Sequence, residues 1–104
     1  MLKDIVFEEA VENSEYETIT LYFIAPKECI QRYSDSYKDA ESTEISLEFP
    51  LGYIESGNAH VEFSPTKDGE DYEWHDVSMP TEIIDQLLVL YGAAVLNGYK
   101  AVKI

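Results

Sequence analysis

At Met79-Pro80 the apolar residues of this chain stop alternating and begin to recur every three to four positions. Beyond that point Ile83, Ile84, Leu87, Leu88, Leu90, Tyr91, Ala94 and Val95 cover a stripe roughly 160° wide at 100° per residue, broad enough to lie across a sheet. Pro80 suits a first helical turn, Glu82 and Asp85 complement the positive helix end, and Gly98 suits the residue after the last turn. The spacing predicts a helix over 80–97.

Upstream the pattern belongs to strands. In "ETITLYFIA" (17–25) Ile19, Leu21 and Phe23 point one way, and Thr18, Thr20 and Tyr22 the other. "TEISLEF" (43–49) sends Ile45, Leu47 and Phe49 inward and Glu44, Ser46 and Glu48 outward, until Pro50 ends the run or marks an edge. "DIVFEEAVE" (4–12) fits a strand or a short helix; the strand is preferred, with Asn13-Ser14 as the turn that follows. Residues 26–42 suggest a helical turn and a polar loop. Tyr53-Ile54 are read as a continuation of 43–49 past Gly52, and "YKAVKI" (99–104) as a final strand or an ordered tail.

Between these lies "FSPTKDGEDYEWHDV" (63–77), with Asp68, Glu70, Asp71, Glu73 and Asp76 threaded among aromatic residues. Asp68-Gly69 is a strong hairpin signal. A turn there pairs Phe63 with Trp74, Glu62 with His75 and Ser64 with Glu73. That register puts Phe63, Trp74, Val61 and Tyr72 on an inner face. His60, Glu62, Ser64, Glu73 and His75 fall on an outer one.

At 104 residues this is one α+β domain, 1–104. The expected architecture is an antiparallel sheet of about four to six strands with the long C-terminal helix on its apolar face. The opposite face presents Glu44, Glu48, Glu62 and Glu73 to water.

The charge balance is the second constraint. Twenty-one acidic residues oppose seven basic ones, a net −14, and from Asp39 to Tyr99 there are 13 acids and one base, Lys67. Such a field repels nucleic acid and anionic membranes and attracts basic surfaces. A single cysteine, Cys29, excludes an intramolecular disulfide and suits a reducing compartment. With no secretory signal and no apolar run long enough to span a bilayer, a cytoplasmic location is expected.

No phosphate loop, dinucleotide fingerprint or calcium loop is present. Cys29 with His60 or His75 lacks any frame for nucleophilic catalysis and reads as a core cysteine. His60, Glu62, Glu73 and His75 include metal-ligand residue types without metal-site spacing, so no metal or cofactor is assigned. Val89, Gly92, Ala93 and Leu96 line the back of the helix with small and apolar residues, a possible dimer seam.

In profile (short, single-domain, strongly acidic, without a catalytic motif) the chain resembles phage-encoded proteins that mimic nucleic acid, anti-CRISPR proteins among them. The likeness is compositional. The expected function is that of a non-enzymatic inhibitor whose carboxylates occupy a basic protein, preferably a nucleic-acid-binding one. Its expected contacts are Glu44, Glu48, Glu62, Asp68, Glu70, Asp71 and Glu73, with Tyr53 and Tyr72 as anchors, and Glu8 and Glu9 lying away from them. Two alternatives stand beside it, a small metal-dependent or His-using enzyme domain and an assembly protein dimerising through the helix back.

Overall fold

Alternation in four long segments is what builds the sheet. The structure, a computed structural model, describes residues 4–26, 28, 41–67, 70–71 and 74–104, without the side chains of 67, 70 and 71. Strands β1 (Val6–Asn13), β2 (Thr18–Pro26), β3 (Ser42–Pro50) and β4 (His60–Lys67) pair antiparallel in sequence order. Two short segments, β5 (Glu70–Asp71) and β6 (His75–Asp76), both pair with β4 and share one edge position. At the other edge β7 (Val102–Lys103) runs parallel to β1. Seven segments thus fill six places, and the helix α1 (Thr81–Leu96) covers one face. This is the α+β arrangement expected from the two periods.

The inward set is the predicted one. Ile19, Leu21 and Phe23 of β2, Ile45, Leu47 and Phe49 of β3, and Val61 and Phe63 of β4 are buried beneath Ile84 and Leu87 of the helix. Phe7 adds an edge-to-face contact with Phe23 at 5.6 Å and touches the rings of Tyr91 and Tyr99 at 5.5 and 5.0 Å. The helix stripe is buried at Ile83, Ile84 and Leu87 but opens toward its end, where Val95 is 45 % exposed.

Local chemistry sets the element ends. The Asn13 side-chain oxygen accepts the N–H groups of Glu15 and Tyr16 at 3.0 and 3.2 Å, closing the turn into β2. Pro80 precedes the helix, and its carbonyl accepts from Ile83 and Ile84. At the far end the Tyr99 N–H bonds the Ala94 carbonyl and the Gly98 N–H bonds that of Val95, a Schellman pair. That pair requires a left-handed residue, and Gly98 supplies it at φ 97°. A bulge at Phe7/Glu9 inserts one extra residue into β1. Next to it, the Tyr99 hydroxyl accepts the Ala10 N–H at 2.6 Å and donates to the Ala10 carbonyl at 3.3 Å.

Two expectations need correction. Tyr53-Ile54 do not continue β3, because Leu51-Gly52 form a turn with Gly52 at φ 83°. The second concerns the hairpin after β4. Its tip keeps the expected register, Thr66 opposite Asp71 and Lys67 opposite Glu70. Closer to the sheet, however, Phe63 faces His75 and Glu62 faces Asp76. One residue has been absorbed between the two segments, and a slip of one reverses the face of everything after it. Trp74 therefore leaves the core, and the expected Phe63–Trp74 pair does not form. The helical reading of 26–42 and the positions of Cys29, Asp68, Tyr72 and Glu73 lie outside the described residues.

Candidate functional site

The register of four strands fixes which outward side chains are neighbours, because cross-strand partners share a face and strands lie about 4.8 Å apart. Three rows cross the middle of the outer face. The first runs Val6, Ile24, Glu44, Ser64, and the second Glu9, Tyr22, Ser46, Glu62, Asp76. Val11, Thr20, Glu48 and His60 make the third. Five carboxylates and one histidine stand in this lattice. Among its described outward positions there is no lysine or arginine.

Tyr22 occupies the middle of the array. Its hydroxyl is pushed up from its ordinary value, first by burial and then by the charges of Glu44, Glu9, Glu48 and Glu62. It stays neutral, a donor surrounded by anions. Trp74, carried to this face by the register slip, meets Tyr22 edge-on with ring centroids 6.1 Å apart. Together with Thr20, Ser46, Glu48, His60 and Glu62 the two rings line a hollow of about 160 Å³.

His60, the first residue of β4, forms one side of the hollow. Its Nε2 lies 2.9 Å from Glu62 Oε1 and 3.0 Å from Asp76 Oδ1. The hydrogen bond to Glu62 holds its pKa above the ordinary 6.5, with the Asp76 charge adding to it and burial opposing. The folded state thus binds this proton more tightly than the unfolded chain. The stability His60 contributes is present below pH 6.5 and is lost as pH rises through the raised value. Comparing melting curves of wild type and His60→Gln across that range should show a small advantage for wild type at the acid end, vanishing on the alkaline side. A gap that grows with pH contradicts the assignment.

The same three residues are the described group able to hold a cation, since one ligand atom from each of His60, Glu62 and Asp76 lies within 4.8 Å of the others. A neutral imidazole with two carboxylates suits zinc or manganese by donor type. His75 does not join them, because the register sets it opposite Phe63 rather than Glu62.

Of the residues chosen from sequence, Glu44, Glu48 and Glu62 come together on this face. Asp71 is registered to Thr66, in the row next to that of Glu44 and Ser64, with Glu70 before it in β5 opposite Lys67, and Tyr53 is 63 % exposed in the loop after β3. Asp68, Tyr72 and Glu73 lie outside the described residues. Glu9, expected to lie apart, stands in the second row beside Tyr22, and Glu8 lines a cleft with Ile24 and Glu44. The bulge is the reason, since the extra residue re-aims β1. Sequence reasoning also missed Trp74, Asp76 and the role of Tyr22, although the outward position of Tyr22 was readable from the alternation in 17–25. On the helix, Val89 and Leu96 are 69 % and 90 % exposed, with Ala93 exposed and Gly92 half-buried.

No described helix is long and apolar enough to cross a membrane. No protein family, curated protein or solved structure matches the chain.

Proposed function

We propose that this protein is a non-enzymatic binding protein that presents the outer face of its sheet to a basic surface on a nucleic-acid-binding protein, in place of the nucleic acid. The observation that carries this reading is the ring of Glu9, Glu44, Glu48 and Glu62 around Tyr22. Glu44 and Glu48 stand four residues apart on β3, about 13 Å along the strand, and Glu62 on β4, opposite Ser46, is a diagonal neighbour of both at roughly 7–8 Å. Lysine and arginine side chains placed to meet phosphates accept such an array through charge-assisted bonds. A rigid sheet loses little entropy on docking, and the net charge steers the encounter. The compositional likeness to phage-encoded nucleic-acid mimics, anti-CRISPR proteins among them, points the same way.

Affinity capture at low and high salt, followed by mass spectrometry, tests the reading. A partner that elutes with salt and is displaced by duplex DNA is expected; salt-insensitive capture, or indifference to DNA, rejects it.

A second reading, a metal-dependent domain, draws on the approach of His60, Glu62 and Asp76. On that reading zinc or manganese raises the melting temperature of wild type but not of His60→Ala. Equal behaviour of the two proteins removes it.

A further inference from the structure

The floor of the hollow between Tyr22 and Trp74 holds a hydroxyl that meets no hydrogen-bond partner among the described residues. Ser46 is outward in the alternation of β3, yet it is only 7 % exposed, covered on the sheet face by its neighbours. Its hydroxyl makes no hydrogen bond among the described residues, while Thr20, Tyr22, Glu48, His60, Glu62 and Trp74 line the space above it. A buried hydroxyl without a partner is unfavourable, and a donor entering the hollow removes that cost. The wall is an indole ring left 40 % exposed on an anionic face.

These features define a donor-rich, planar, cationic guest. Glu48 and Glu62 stand on adjacent strands as diagonal neighbours, roughly 7–8 Å apart at their backbones. His60 engages Glu62 through Oε1, which leaves the rest of that carboxylate and Glu48 to meet a ligand. A guanidinium has N–H groups on two edges and a face that stacks on an aromatic ring. An ammonium is a point charge that satisfies one partner well and stacks poorly.

We propose that this hollow seats an arginine side chain of the basic partner, its guanidinium stacked on Trp74, forked between Glu48 and Glu62, and donating to the Ser46 hydroxyl. The assignment deepens the acidic-face reading above and rests on it for the identity of the donor. The guanidinium enters as the partner's anchor, and the surrounding carboxylates steer it without contributing equally to affinity.

Trp74 is the only tryptophan in the chain, so its indole N–H gives a single, unambiguous cross-peak in a proton–nitrogen correlation spectrum. The probes are Ac-Gly-Arg-Gly-NH2, Ac-Gly-Lys-Gly-NH2 and free L-arginine, titrated into the intact protein at constant ionic strength. The arginine peptide should move the Trp74 peak in a saturable way and bind at least ~3-fold tighter than the lysine peptide. Measured on the alkaline side of the His60 titration, Ser46→Ala and Glu62→Gln should each weaken it by ~3-fold or more without lowering the melting temperature, whereas Glu82→Gln on the helix should not weaken it. Free arginine carries its own carboxylate and should bind no tighter than the capped peptide. A Trp74 peak that does not respond overturns the proposal, as does equal response to arginine and lysine, or variants that bind like wild type. Free arginine binding tenfold tighter than the peptide would replace a protein partner with a small-molecule ligand. If the peptide fails while capture of a basic protein stays salt-sensitive, the hollow is rejected and the acidic-face reading stands. Should the peptide bind while capture fails, the acidic-face reading falls instead.

Discussion

Phe23→Ala is expected to lower the thermal midpoint by roughly 12–40 °C, the largest effect of any single change considered. Phe23 is fully buried at the centre of the sheet, packed edge-on against Phe7, paired across the strands with Ile45, and belongs to one core cluster with Leu21, Leu47 and Phe63. Truncating a buried phenylalanine removes its burial and leaves a cavity that the strands cannot close, together about 3–5 kcal/mol. For a domain near this size each kcal/mol moves the midpoint by about 4–8 °C. The loss is a large share of a total that rarely exceeds ~15 kcal/mol, and the self-repulsion of a −14 chain has already reduced that total. Leu96→Ser, at a position 90 % exposed, should stay within about 0.5 kcal/mol of wild type. Circular dichroism melts of the two variants decide it. Similar small shifts in both would mean that the inner face is not the core.

Glu48→Lys with Glu62→Lys should weaken partner binding by ~100-fold or more at low salt, about 2.7 kcal/mol. The double change moves the net charge from −14 to −10, since each substitution adds two. Glu15→Lys with Asp85→Lys makes the same move elsewhere, on the β1–β2 turn and the exposed side of the helix. The control should lose only a few-fold, through weaker steering. Calorimetry on the captured partner reads both variants. Equal losses would show that only total charge matters and that the rows of the outer face have no positional role. Glu8 and Glu9 cannot serve as this control, because the β1 bulge brings Glu9 beside Tyr22 and Glu8 beside Ile24 and Glu44. On the alkaline side of the His60 titration neither outward reversal should destabilise the fold, since both relieve repulsion in a crowded acidic array.

What was legible in the sequence was whatever repeats locally. Period two in 17–25 and 43–49 put Ile19, Leu21, Phe23, Ile45, Leu47 and Phe49 on one face, and all six are buried. Period 3.6 after Pro80 located the helix to within a residue at each end. Alternation also placed Glu44, Glu48 and Tyr22 outward, because a side chain's face depends only on its own strand's phase. Charge counting needed no structure at all.

The composition of the site was not local. Whether Trp74 lines the core or the outer face depends on one residue absorbed between β5 and β6, and nothing in "DYEWHDV" marks where that happens. The same slip exchanged His75 for Asp76 as the partner of Glu62 and so created the contact with His60. A second irregularity, at Phe7/Glu9, brought Glu9 beside Tyr22. Burial of Ser46 followed from neighbours on two other strands and from Trp74 beside them. Sequence by itself determined the two layers, the helix and the sign of the field, all of which follow from repeats and sums. Tertiary structure alone decided which side chains share the outer face, because a register is settled by the packing of whole strands and a single inserted residue reverses it.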